Sequence, residues 1–212
     1  MLQRDQPARI GIVLYGGVEP IDLGGTLGVI SMASRLLPGL SATTIAEHAG
    51  PVHCAGGLTV LAAHGFADGC ACDAVVVTGG PGWAAQARNP AMLAFLRGLD
   101  PARLASVCTG ALILGAAGLL DGRRATTRRT AIGAETEAPL ALLAAMGAEA
   151  TAAQIVDAGG PVTGGGVSLA HDLTLHLIGR LYGGAARDEV ARLIEYDRAF
   201  AANRAALGIV VD

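Results

Sequence analysis

The side chains best suited to chemistry in this chain fall at glycine-rich turns. In Ser106-Val-Cys-Thr-Gly110, a cysteine lies between an apolar run at residues 104–107 and a small-residue helical stretch at 111–119. A residue on such a strand-to-helix turn is held in a strained, exposed conformation. The helix amino terminus beneath it favours a thiolate and offers backbone N–H groups to an oxyanion. Cys108 is therefore a candidate nucleophile; its alternative role is a small buried hydrophobe, the commonest fate of a free cysteine. Gly79-Gly80 closes another apolar run, and its unhindered N–H groups could face the same oxyanion as the N–H of Thr109. As structure alone it is a tight strand exit. Asp22 precedes an apolar helical stretch and could be only its N-cap. Beside a thiol in a dry crevice, its carboxyl would instead rise in pKa and hold a proton near neutral pH. Among the histidines, His171 follows Gly164-Gly165-Gly166 by about one turn and is best placed to approach such a site, whereas His48, His53 and His64 read as structural or surface residues.

Composition excludes other chemistries. All 15 basic residues are arginine, so no lysine forms a Schiff base or grips a nucleotide phosphate. Of the 4 cysteines, Cys70 and Cys72 make a lone C-x-C with no second pair and no nearby histidine cluster. No metal site is expected there, and Cys54 and Cys108 add too little for a disulfide framework. The stretch Gly79-Gly-Pro-Gly-Trp83 lacks the G-x-G-x-x-G spacing of a dinucleotide site. A net charge of -3 gives no electrostatic reason to expect nucleic acid or an anionic membrane as partner. The residues before Ile10 are polar and the apolar run after them is too short for a signal peptide, and no apolar stretch is long enough for a membrane span. The expected location is a reducing cytoplasm.

A layered α/β framework must carry these turns. Residues 9–15, 74–78 and 104–107 are continuous apolar runs, which is how strands buried on both faces read. Residues 43–48 predict a further strand and 50–62 a hairpin. Helices are predicted over 22–37, 89–99 (Asn at the cap, Pro in the first turn), 111–119, 137–146, 167–181 and 187–196, with short strands between 150 and 163. This alternation predicts a mostly parallel sheet covered on both faces, with its ligand crevice beyond the carboxyl ends of the strands. With 52% hydrophobic but only 3% aromatic residues, the core must be packed from Ala, Val, Leu and Ile. No composition break marks a linker, so residues 1–212 read as a single domain, with a core over about 9–197 and a short C-terminal tail.

The segments V-E-P-I-D-L-G-G (18–25), G-G-L-T-V-L-A (56–62), V-V-V-T-G-G-P-G (75–82), S-V-C-T-G-A-L-I-L-G-A-A-G-L-L-D-G-R-R-A-T-T (106–127) and T-G-G-G-V-S-L-A-H-D-L (163–173) together resemble the ThiJ/PfpI superfamily of glutamine amidotransferase-like proteins. Within it the chain is most similar to the isonitrile hydratase branch and to the amino-terminal domains of AraC-type regulators, over about residues 9–197. The resemblance implies a flavodoxin-like three-layer sandwich, a homodimer, no cofactor, and a nucleophilic Cys108. It implies Asp22 as the acidic partner of the thiol, with Gly80 and Thr109 supplying backbone N–H groups. In the hydratase branch a small-molecule electrophile, an isonitrile, would take the Cys108 thiolate and the Asp22 proton at its terminal carbon. Water would then convert the thioimidate to an N-substituted formamide, in a pocket lined by Gly165 and Val167. The alternatives are a glyoxalase- or deglycase-like enzyme, a biosynthetic lyase or cyclase using the same cysteine, and a non-catalytic ligand-sensing domain. Against the last stand the short stretch after Asp197, with no room for a helix-turn-helix, and the lack of a basic stripe. The chain departs from the family's usual pattern at Thr26, where proline is usual, at His171, usually apolar, and at Arg128-Arg129, usually a histidine and an aromatic.

Overall fold

The computed structural model describes residues 1–69 and 71–211; Cys70 of the C-x-C pair lies outside the described residues. In chain order the strands are β1 (Ala8–Val13), β2 (Leu40–Ala46), β3 (Gly50–His53), β4 (Thr59–Ala62), β5 (His64–Gly65), β6 (Ala74–Val77), β7 (Leu104–Ser106), β8 (Arg124–Ala125), β9 (Glu149–Ala150), β10 (Ile155–Asp157), β11 (Val162–Gly164) and β12 (Ile209–Val211). One sheet runs β12-β10-β11-β7-β6-β1-β2-β5. It is parallel throughout except where β10 meets β11. The hairpin of β3 and β4 and the short pair of β8 and β9 stand outside it.

The middle of the sheet explains the unbroken apolar runs. Every residue of β6 and β7 is buried, as are Ile10, Ile12 and Val13 of β1, because helices cover both faces. These helices are α1 (Pro20–Leu23), α2 (Val29–Ala33), α3 (Trp83–Gln86), α4 (Pro90–Arg97), α5 (Gly110–Ala116), α6 (Pro139–Ala145), α7 (Ala170–Tyr182), α8 (Gly184–Leu193) and α9 (Asp197–Leu207). The architecture is the expected flavodoxin-like α/β sandwich. Asn89 caps α4 as its sequence predicts, accepting from Ala91 N at 2.9 Å with Pro90 in the first turn. The all-apolar α5 is buried from Gly110 to Gly115, as a helix without a polar face must be.

Two features differ from the sequence expectation. The helix expected over 22–37 starts at Pro20 and contains a π-helical turn at Gly24–Gly28 between α1 and α2. At this turn α7 packs so closely that a Cβ on Gly25 would lie 2.5 Å from the Ala170 Cβ. The Thr174 hydroxyl also donates to Gly25 O at 2.8 Å, so the glycine backbone of the π-helical turn seats directly on α7. The stretch expected to be a C-terminal tail is instead α9 and β12, with β12 extending the sheet as a parallel neighbour of β10. Among the described residues, no helix is long and apolar enough to cross a membrane.

Candidate active site

β7 runs into the turn that carries Cys108, and α5 leaves it. Cys108 has φ of 52°, in the left-handed region that costs a non-glycine residue about 1–3 kcal/mol and persists only where its surroundings hold it there. Those surroundings are hydrogen bonds on both sides of the residue. Val107 N donates to Val77 O at 3.0 Å and Cys108 N to Gly165 O at 3.2 Å, while the Thr127 hydroxyl donates to Cys108 O at 2.5 Å. Gly110 must lack a side chain because a Cβ there would collide with Val77 O. The turn is thus the strained strand-to-helix elbow expected from Ser106-Val-Cys-Thr-Gly110.

The thiol's acidity is reversed from the expectation. Burial, reinforced by the Asp22 charge, pushes Cys108 up to about 12, against the opposing pull of the Thr109 N–H and of Arg128. Only 4% of Cys108 is exposed. The short α5 does offer its Thr109 N–H to the sulfur, but desolvation outweighs it.

Asp22 is fully buried and does not cap its helix. Its Oδ2 accepts from Gly79 N at 2.7 Å, and its Oδ1 has no hydrogen-bond partner among the described residues. Burial pushes its carboxyl up to about 7, with the Glu19 charge adding to the rise and the Gly79 N–H and Arg128 opposing it. The N-cap position belongs to Glu19, which Pro20 holds in an extended conformation. Thr26, in place of the usual proline, donates its hydroxyl to Asp22 O at 2.8 Å.

A cavity of about 600 Å³ opens above the sulfur. Cys108, Thr109, Gly80 and Val167 line it as expected, with Ile21, Trp83 and Ile132 making much of its wall apolar. The remaining expected residues take other roles. The Gly79 N–H is committed to Asp22, and the Gly80 N–H donates to the Thr109 hydroxyl at 3.0 Å. Neither glycine therefore offers a free oxyanion donor, because neighbouring acceptors already satisfy both. Gly165 holds the Cys108 backbone, and its N–H donates to Gln154 O at 2.9 Å; it supports the elbow rather than lining the cavity. His171 is absent from the cavity wall: its ring stacks on Tyr196 with centroids 5.0 Å apart, and Nδ1 lies 3.1 Å from Ser168 O.

Two charged wall residues, Glu19 and Glu135, are not singled out by the sequence, and the structure places Arg128 beside them. The Arg128 side chain is only 7% exposed and pairs with Glu135 Oε1 at 2.5 Å, while Glu135 Oε2 accepts from Ile132 N at 2.9 Å. Arg128 also donates to Thr130 O; Arg129, by contrast, is exposed. Glu19 is half-buried on the same wall. Its place three residues before Asp22, on one face of the helix start, was the available signal.

Comparison with known proteins places this arrangement in context. Residues 8–180 match the DJ-1/PfpI family. The chain is 32% identical over 190 residues to an isonitrile hydratase of Pseudomonas putida, an overlap covering 89% of this chain and 78% of that one. A crystal structure of a ThiJ/PfpI family protein from Pseudomonas syringae superposes with a TM-score of 0.75 at 28% identity, over 91% of this chain and 76% of that one. A cysteine-to-alanine mutant of a DJ-1 superfamily protein from Salmonella typhimurium superposes with a TM-score of 0.73 at 27% identity, over 89% of this chain and 98% of that one.

Proposed function

The chain belongs to the DJ-1/PfpI family, and from that premise we propose that it is a cysteine-dependent isonitrile hydratase, adding water to R–NC to give an N-substituted formamide. One observation carries this reading: a left-handed Cys108 at the base of a partly apolar cavity, backed by a buried Asp22 whose carboxyl titrates near neutrality. The apolar wall of Ile21, Trp83, Ile132 and Val167 suits an uncharged isonitrile. The similarity to the Pseudomonas putida hydratase supports the same chemistry.

The two titrating groups divide the work. With a thiol at about 12 beside a carboxyl at about 7, the resting pair at neutral pH keeps its proton on sulfur. Asp22 takes that proton as the sulfur bonds to the terminal carbon of R–NC, then delivers it to the same carbon. The product is the thioimidate R–N=CH–S–Cys108, and Asp22 is again a carboxylate. Addition of water across C=N gives R–NH–CH(OH)–S–Cys108. Collapse of this carbinol breaks the C–S bond, releases R–NH–CHO and returns a proton to sulfur.

The test incubates n-butyl isonitrile with the protein and with Cys108→Ala, following N-butylformamide by proton NMR. Turnover by the wild type and none above buffer for the variant is expected. A wild type without turnover would remove the hydratase reading, and turnover surviving in the variant would remove the nucleophile. Cys108-dependent consumption of methylglyoxal, with no isonitrile turnover, would assign glyoxalase-type chemistry instead.

A further inference from the structure

The hydratase reading leaves one proton transfer without an agent, the activation of water in the second half of the reaction. Asp22 is fully buried and absent from the cavity wall, so it serves the sulfur but does not meet solvent. Two other carboxylates line the cavity, Glu19 and Glu135. Glu135 is committed, one oxygen to the Arg128 guanidinium and the other to Ile132 N. The Glu19 side chain makes no hydrogen bond or ion pair among the described residues. Its backbone is nonetheless held at the centre of the site: Glu19 N donates to Gly79 O at 2.9 Å, so the same glycine that binds Asp22 through its N–H binds Glu19 through its carbonyl. A Cβ on Gly80 would collide with Gly17 O and approach Glu19 N to 2.5 Å, so the bare turn presses directly on this residue.

Resting on the hydratase reading, we propose that Glu19 is the second acid–base catalyst, the carboxylate that activates the water hydrolysing the Cys108 thioimidate. Glu19 takes a proton from water as the water oxygen bonds to the thioimidate carbon. The C=N electron pair moves to nitrogen, and Glu19 returns its proton there, giving R–NH–CH(OH)–S–Cys108. Water has then been added across one double bond and Glu19 is regenerated. Two carboxylates in unlike surroundings thus take the two proton transfers, one dry behind the sulfur and one at the wet wall.

Quenched-flow mass spectrometry with n-butyl isonitrile tests this on the wild type, Glu19→Gln and Glu19→Asp. Glu19→Gln should lower kcat about 100-fold, as loss of a general base does. The chain should then accumulate as a covalent adduct one isonitrile heavier, located on Cys108, at close to the wild-type rate of adduct formation. Glu19→Asp should recover part of kcat. The pH profile supplies a readout that a merely structural role would not move. The titratable and charged groups that face Asp22 are Glu19 at the helix start, Arg128 on the facing loop, the Cys108 thiol and the Tyr15 phenol just after β1, and removing the first should shift the Asp22 limb to lower pH. Unchanged kcat in Glu19→Gln, or a fall in kcat with adduct formation slowed equally, overturns the assignment of Glu19 alone. A wild type that forms neither adduct nor formamide overturns the hydratase reading and this proposal with it.

Discussion

At the residue scale, the site is built on an electrostatic cost. Folding buries Asp22 completely and satisfies only one of its oxygens, so the fold prefers the protonated carboxyl and raises it from 3.8 to about 7. A group whose folded pKa is raised contributes stability that is full below its unfolded value and lost as pH rises through the folded one. Wild-type stability should therefore decline between about pH 4 and pH 7 on this account. Asp22→Asn removes the charge but keeps an oxygen able to accept from Gly79. It should stabilise the protein by on the order of 4 kcal/mol at pH 8 and change little at pH 3.5, measured by urea denaturation at both pH values. The same variant should lose more than about tenfold in turnover. It should also alkylate at Cys108 at lower pH than the wild type, since the neighbouring charge that raises the thiol is gone. In the wild type, turnover should rise with pH as Asp22 ionises, with a midpoint at about 7. A pH-independent rate across that range would return Asp22 to a structural role.

At the element scale, the C-terminal segment is part of the core's closure. Phe200 of α9 is 6% exposed, its carbonyl accepts from Gln154 Nε2 at 3.3 Å, and the Arg187 guanidinium lies over its ring. Around it, the buried Asp172 of α7 accepts from Gln154 at 2.6 Å, from the Tyr196 hydroxyl at 2.8 Å and from Asn203 at 3.2 Å. Gln154 in turn lies on the chain just before β10, and Gly165, which holds the elbow, donates to its carbonyl. The segment thus braces the strand exit that supports Cys108. Phe200→Ala should cost about 3 kcal/mol in urea denaturation, as other buried phenylalanine truncations do. A cost below about 1 kcal/mol would show that α9 is only loosely docked. These elements were hard to read because α9 is alanine-rich with a narrow apolar stripe and β12 spans only Ile209–Val211. The usable signals were Gly208, which ends the helix with φ of 72°, and the β-branched run after it.

At the scale of the whole molecule, the wide sheet places β1, β6 and β7 side by side, and their carboxyl ends deliver Asp22, Gly79-Gly80 and Cys108 to one point. The family resemblance implies a second copy as partner, and we propose a homodimer on that basis; light scattering should then report twice the mass of the 212-residue chain, and a monomer at micromolar concentration would refute it. The sequence by itself determined the buried strands, the glycine turns and the elbow at Cys108, because apolar runs and turn chemistry depend on neighbours along the chain. Only the tertiary structure decided what those turns do. Asp22 and the Gly79 N–H that holds it are 57 residues apart, and the Gly80 N–H is satisfied by a threonine hydroxyl 29 residues away. The dismissal of His171, the burial that makes the thiol weakly acidic, and the exposure of Glu19 to the cavity likewise depend on which surfaces meet. Desolvation and hydrogen-bond commitment are set by the atoms that fill the space around a group, and those atoms come from distant parts of the chain.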